Sequence, residues 1–109
     1  MNEVKITDKE AICTFGGRNY EIPGYMRDSL EGYIKYGHPV GNFLEAVLCN
    51  KLYEVFASAD DTNFANVPAY LYFLYNHAPA SCWRSKEKYE AWMDHEGLSG
   101  IDKKRSAAR

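Results

Sequence analysis

The sequence has no apolar run long enough to cross a membrane. A membrane-spanning helix needs about 20 consecutive, mainly apolar residues, and no stretch of this chain approaches that length. The first residues, Met1–Lys5, are polar where a secretion signal would be apolar. We therefore expect no membrane partner and a cytoplasmic protein.

Paired cysteines and excess positive charge are also missing. The three cysteines, Cys13, Cys49 and Cys82, are odd in number and irregularly spaced, which favours reduced thiols over a disulfide framework. The formal net charge is −2, whereas proteins that bind nucleic acid normally present a basic face. We do not expect nucleic acid as a partner. The basic cluster Lys103–Arg109 indicates a flexible tail, predicted over residues 99–109.

No established catalytic signature is present. The chain contains no phosphate-binding loop, no nucleophile elbow and no pair of histidines at helical spacing. Four potential zinc ligands stand in separate segments: His38, His77, Cys82 and His95. Zinc sites usually contain close ligand pairs, which these residues do not form. We expect no metal, no cofactor and no catalytic residue, although Cys82 is a candidate nucleophile because it precedes a predicted helix.

Two β-prone runs flank a Gly-Gly pair near the N-terminus. Ala11–Phe15 and Arg18–Ile22 are separated by Gly16-Gly17, and glycine readily takes the positive φ angles of a tight hairpin turn. A lone hairpin is marginally stable in water, so this one must lie on helices or pair with another strand.

Helical periodicity dominates the rest of the chain. A first helix is predicted to begin just after Pro23 and to end at about Tyr36, with Gly37 as its C-terminal cap. The next is a single long helix over Asn42–Ala59, with Asn42 as its N-cap. Its apolar arc is too wide for one neighbour, which predicts either the centre of a bundle or a contact between subunits.

A third helix is predicted from the turn residues Asp60–Asn63 to His77, with Pro68 marking a kink or a restart. Its predicted core stripe is Val67, Leu71, Leu74 and Ala78. Ser85 is the predicted cap of a last helix. The prediction is thus a mainly α domain over residues 1–98, with an N-terminal β-hairpin followed by a bundle of about four helices. We expect it to form a homo-oligomer.

Six residues are candidates for contact with a ligand, and they are Asn50, Asp60, Asn63, Tyr72, Trp83 and Arg84. Asn50 stands mid-helix, where asparagine persists if it makes a specific hydrogen bond, and a solvent-facing position is the alternative. Asp60 and Asn63 precede a helix, where capping is the simpler explanation.

The aromatic candidates fit the composition, since the chain contains nine tyrosines. An excess of tyrosine indicates either a binding surface or a small core filled with rings. Tyr72 is predicted to project away from the core. Trp83 and Arg84 suit stacking on a planar ligand or burial against a protein partner, although Trp83 also suits anchoring its loop to the core.

Several motifs recur together between Ile22 and Trp92. They are Ile22-Pro23, Tyr33 to Gly37, Gly41-Asn42-Phe43-Leu44-Glu45-Ala46-Val47-Leu48-Cys49-Asn50-Lys51-Leu52, Ala59-Asp60-Asp61-Thr62-Asn63 and Pro79-Ala80-Ser81-Cys82-Trp83-Arg84-Ser85. In this pattern the chain resembles a family of small proteins of tailed phages and prophages whose function is undefined. Arg84 stands where the family motif has glycine, so the loop is expected to differ locally if that glycine needed a positive φ.

The resemblance implies a non-enzymatic phage accessory protein in the cytoplasm of an infected bacterium. Such a protein binds either a nucleotide-like small molecule, as in sequestration of a host defence signal, or a host protein that it inhibits. One alternative is a metal-dependent nucleotide hydrolase or nuclease that uses Asp60, Asp61 and His77. Another is a nucleic-acid-binding regulator that uses Lys103–Arg109.

Overall fold

The computed structural model describes residues 5–101. Over this range the chain is mainly helical with one antiparallel β-hairpin near its N-terminus, as predicted. The elements are α1 (Asp8–Ala11), β1 (Ile12–Phe15), β2 (Arg18–Glu21), α2 (Gly24–Tyr36), α3 (Asn42–Leu48), α4 (Leu52–Ser58), α5 (Asp61–Ala65), α6 (Val67–His77), a 3₁₀ turn (Ala80–Cys82) and α7 (Lys86–Asp94).

The C-terminal end of the described range bears on the predicted tail. Within the tail predicted over residues 99–109, residues 99–101 are helical. Residues 102–109, which include the basic cluster Lys103–Arg109, lie outside the described residues. None of the helices within residues 5–101 has the length and apolar character that a membrane span requires.

The hairpin has the predicted Gly-Gly turn. Gly16 and Gly17 take φ angles of 56° and 79°, and two consecutive positive φ angles are what a type I′ hairpin turn requires. Phe15 lies directly opposite Arg18 across the two strands. The hairpin packs on α6, and no third strand joins it among the described residues. It is therefore stabilised by a helix.

Helix α2 has the predicted ends. It begins after Pro23, and Gly37 caps its C-terminus with a φ of 72°. The backbone of Gly37 lies against Gly97, where a β-carbon would stand 2.7 Å from the Gly37 nitrogen. The two glycines thus allow the end of α2 and the segment after α7 to meet backbone to backbone.

The prediction of a single long helix over Asn42–Ala59 is wrong, because two helices occupy this segment. Helix α3 ends at Leu48 and α4 begins at Leu52. Between them Asn50 has a φ of 61°, a left-handed conformation that asparagine tolerates better than most residues and that no α-helix continues through. The predicted N-cap is also wrong: Gly41 occupies that position and Asn42 is the first helical residue.

The break divides the wide apolar arc into two parts with different environments. Five of the seven residues of α3 are buried: Phe43, Leu44, Ala46, Val47 and Leu48. Helix α4 buries only Val55. The predicted bundle centre is therefore α3, and α4 lies at the surface with most of its apolar side chains exposed.

The third predicted helix restarts where Pro68 indicated. Helix α5 ends at Ala65, and α6 begins at Val67 with Pro68 in its first turn. Proline is tolerated there because N–H groups in the first turn of a helix have no acceptor within the helix. The predicted core stripe is wrong in part. Leu74 is buried, but Leu71 is 46% exposed, and the buried residues of α6 are Ala69, Tyr70, Phe73 and Leu74. Because α6 is apolar around most of its circumference, its periodicity does not select one inner face.

Buried hydrogen bonds join both α7 and the 3₁₀ turn to α2. The indole Nε1 of Trp92 donates to the carbonyl oxygen of Tyr33 at 3.0 Å, and the hydroxyl of Tyr33 donates to the carbonyl oxygen of Cys82 at 2.5 Å. Both aromatic side chains therefore bury their rings without leaving a polar atom unpaired. At the start of α7, Ser85 accepts a hydrogen bond from the N–H of Lys88 at 3.1 Å, which confirms the predicted cap.

Candidate functional site

A groove of about 530 Å³ lies between the hairpin and α6. We call it the hairpin groove, and its lining residues are Phe15, Tyr20, Val67, Pro68, Leu71, Tyr72, Tyr75 and Asn76. Its volume falls within the range of about 300–1,000 Å³ that is usual for small-molecule sites. Its walls are almost entirely aromatic and aliphatic.

One wall is the face of α6 opposite to its buried face. The lining residues of α6 occur in pairs four positions apart, at residues 67–68, 71–72 and 75–76, so they share one side of the helix. Tyr75 is 74% exposed. The aromatic surface of this wall is therefore accessible to a ligand.

The other wall is one face of the hairpin. Side chains alternate between the two faces of a strand, and residues directly opposite each other project from the same face. Tyr20 therefore shares a face with Arg18, and Arg18 shares it with its cross-strand partner Phe15. Cys13 belongs to the same face and is buried beneath it.

Arg18 supplies positive charge beside this wall. Its side chain is exposed, and no ion pair involves it among residues 5–101. Cross-strand neighbours have β-carbons about 5 Å apart, so the guanidinium group of Arg18 can reach a ligand that stacks on Phe15. A guanidinium group binds phosphate and carboxylate groups through paired N–H donors.

The groove offers surfaces for stacking and one charged contact beside them. Aromatic rings from both walls offer flat surfaces for stacking, and Arg18 offers an anion contact. Among the described residues that line the groove, there is no carboxylate, imidazole or thiol. The arrangement can hold a planar ligand but presents no such group for acid–base or nucleophilic chemistry.

Of the six candidate ligand residues, Tyr72 lines the groove and the other five do not. Asn50 forms the break between α3 and α4. Asp60 accepts a hydrogen bond from the N–H of Asn63 at 2.7 Å and caps α5. Asn63 is buried, and its side-chain oxygen accepts a hydrogen bond from the hydroxyl of Tyr70 at 2.7 Å. Both polar residues at the start of α5 thus have structural partners.

The remaining two candidates form the loop before α7. The guanidinium carbon of Arg84 lies 5.2 Å from the ring centre of the half-buried Trp83, a cation–π contact. Arg84 has a φ of 97°, a conformation that favours glycine although arginine occupies the position.

The candidate nucleophile Cys82 is fully buried, and burial raises the pKa of its thiol to about 12. The thiol is therefore protonated at neutral pH and a poor nucleophile. All three cysteines are free and buried. Burial also raises the pKa values of Cys13 and Cys49.

Two of the three residues proposed for metal-dependent hydrolysis, Asp60 and His77, have other contacts. Nδ1 of His77 lies 3.7 Å from a carboxylate oxygen of Glu10, and Asp60 caps α5. Within residues 5–101 no group of three or more histidine, cysteine, aspartate or glutamate side chains is arranged to hold a metal ion.

Sequence reasoning did not connect Phe15, Arg18, Tyr20 or Leu71 with a ligand site; Arg18 lies beside the groove, and the other three residues line it. A local signal existed for the first three, since alternation around the Gly-Gly turn places them on one face. Leu71 was missed because it was assigned to the core.

Comparison with known proteins gives no relative from which a function can be transferred. No protein-family model, no curated protein and no solved structure matches the chain. The chemistry of the hairpin groove is therefore the basis for a functional conclusion.

Proposed function

We propose that this chain is a non-enzymatic binding protein whose hairpin groove takes a nucleotide-like small molecule. The observation that carries the proposal is the aromatic groove with Arg18 beside it. A planar base would stack between the rings of the hairpin and α6, and the guanidinium group would bind the phosphate.

Ring stacking and an ionic contact would both contribute to the affinity of such a complex. Stacking of one base on an aromatic side chain contributes about 1–3 kcal/mol, and the groove offers aromatic rings on both walls, from Phe15 and Tyr20 on the hairpin to Tyr72 and Tyr75 on α6. The contact with Arg18 is solvent-exposed, so it adds less and weakens with salt. Affinity for the ring should therefore dominate, and the phosphate should add selectivity.

The biological setting that we propose is a phage or prophage accessory protein in the cytoplasm of an infected bacterium. The motifs between Ile22 and Trp92 support this setting by their resemblance to phage proteins. A binding protein without turnover acts on such a ligand by sequestration, so a nucleotide signal used in host defence is the proposed target. Inhibition of a host protein, whose aromatic side chain would enter the same groove, is the competing proposal.

The proposal is tested by titrating the full-length protein with nucleoside monophosphates and with the matching nucleosides. Tyr75→Ala removes an exposed ring, so it should weaken both ligands about tenfold, and Tyr25→Ala is its control because Tyr25 is also exposed but lies outside the groove. Arg18→Ala should weaken only the nucleotides and reduce the salt dependence, and Lys9→Ala is its charge-matched control.

Three outcomes would contradict the proposal. Failure of every nucleotide and nucleoside to bind would leave the host-protein alternative. Equal loss of affinity in Tyr75→Ala and Tyr25→Ala would exclude the groove as the site. Conversion of a bound nucleotide to product in the presence of Mg²⁺ or Mn²⁺ would favour the hydrolase alternative.

A further inference from the structure

A second exposed apolar surface lies on α4 and α5, and it has no part in the hairpin groove. We call it the α4 face. It consists of Leu52, Tyr53, Phe56 and Phe64, which are 83%, 82%, 68% and 50% exposed. Phe56 and Phe64 contact each other edge to face, with ring centres 5.3 Å apart, so the residues of α4 and α5 form one continuous patch.

The chain itself covers α4 very little. This helix has seven residues, of which only Val55 is buried, and it packs mainly on α3. Isolated helices of this length are marginal in water, and most helical stability in proteins comes from packing of an apolar face. The residues Leu52, Tyr53 and Phe56 are spaced so that they share one side of the helix. The apolar side of α4, whose packing would stabilise the helix, is therefore exposed to solvent.

The area of the face matches the core of a homodimer interface. Given about 150–250 Å² for each fully buried aromatic side chain, the four exposed side chains present roughly 500 Å² of apolar surface. A standard interface buries about 800 Å² on each partner, of which about 65% is apolar in homodimers. We infer that the α4 face is the two-fold contact of a homodimer.

A second copy of this chain fits the face better than a charged partner does. In a two-fold contact the same patch meets itself, so the patch must be complementary to itself. An apolar patch meets this requirement, and Lys51 and Glu54 beside α4 pair within the chain at 3.5 Å, so this pair adds no net charge to the contact. A second copy is also present wherever the chain is, so it can stabilise a helix that its own chain leaves exposed.

The test is the molar mass of the full-length protein, measured by sedimentation equilibrium from low micromolar to high micromolar concentration. The expected result is a dimer that dissociates on dilution. Tyr53→Glu places a charge in the contact and should weaken dimerisation at least a hundredfold. Its matched control, Tyr25→Glu, changes an exposed tyrosine outside the α4 face and should leave the dimer unchanged.

A second measurement does not depend on any variant. Amide hydrogen exchange of the wild-type protein should become faster in residues 52–58 on dilution below the dissociation constant, whereas exchange in α7 should change much less. A wild-type protein that is monomeric at every concentration would overturn the inference. So would a Tyr53→Glu protein that remains folded and dimeric. Neither result bears on ligand binding in the hairpin groove.

Discussion

The backbone N–H of Arg84 donates a hydrogen bond of 2.7 Å to the carbonyl oxygen of Leu48. This bond ties the loop before α7 to the last residue of α3, whose carbonyl would otherwise lack a helical partner. Arg84 itself and Asn50, two residues after Leu48, both take positive φ angles, of 97° and 61°. The junction of α3, α4 and the loop therefore contains two unfavourable backbone conformations, and each leads to a prediction about stability.

At Asn50, an alanine should be costly and a glycine should not. The left-handed conformation costs most L-residues roughly 1–2 kcal/mol, whereas asparagine and glycine adopt it more readily. We expect Asn50→Ala to lower the free energy of unfolding by about 1 kcal/mol and Asn50→Gly to change it by less than about 0.5 kcal/mol. Urea titration measures both. Equal stability of the two variants would contradict a cost of the left-handed conformation at this position.

At Arg84, glycine should be more stable than alanine. Both substitutions remove the contact with the ring of Trp83, so their difference isolates the backbone. Only glycine takes a φ of 97° without a β-carbon clash. The free energy of unfolding of Arg84→Gly should therefore be about 1 kcal/mol higher than that of Arg84→Ala. The reverse order in urea titration would mean that the loop relaxes when arginine is removed.

Gly97→Ala should be strongly destabilising. Its β-carbon would lie 2.7 Å from the backbone nitrogen of Gly37 and from the carbonyl oxygen of Ile34, and its φ of 62° disfavours alanine. We expect a loss of about 2 kcal/mol or more from overpacking and backbone strain together. Gly24→Ala is the control, because nothing lies within 4 Å of its β-carbon position and its φ is not positive. A comparable loss in both variants would argue against the close contact of the two glycines.

Burial of Cys82 should make the protein less stable at alkaline pH. The ordinary thiol pKa of 9.0 is raised to about 12 in the folded protein by burial. Above pH 9 the thiol of the unfolded chain loses its proton, whereas the buried thiol of the folded protein keeps it until about pH 12. The free energy of unfolding is therefore unaffected by this group below pH 9 and falls as the pH rises from 9 toward 12. Cys82→Ala should show a weaker decline of unfolding free energy across this range. In the wild type at neutral pH, rapid modification of Cys82 by a thiol reagent without unfolding would contradict its burial.

Turn and cap residues explain why parts of the fold are predictable from sequence. Gly16-Gly17, Gly37 and Ser85 each determine one local conformation, and the hairpin turn, the end of α2 and the start of α7 follow from them. The break at Asn50 was not predictable from periodicity, because the apolar pattern continues in phase across it. The backbone angles of Asn50 and Lys51 decide the outcome there, and hydrophobic spacing does not report them.

The site was less predictable because it forms between distant parts of the chain. Tyr72 was identified from its position on α6, but Phe15 and Tyr20 meet it only because the hairpin packs on that helix. No local pattern states which helix a hairpin will cover. Leu71 shows a second limit, since a helix that is apolar on two faces offers no sequence signal for which face is buried.

The proposal that the hairpin groove binds a planar, anionic ligand is tested most directly by NMR, through the ring resonances of the tyrosines. Of the nine tyrosines, only Tyr20, Tyr72 and Tyr75 line the groove. In a spectrum of protein labelled at tyrosine rings, titration with a nucleoside monophosphate should shift these three resonances, with saturation at one ligand per chain, and should leave the others in place. Saturable shifts confined to tyrosines outside the groove, or no shifts with any nucleotide, would contradict the proposal.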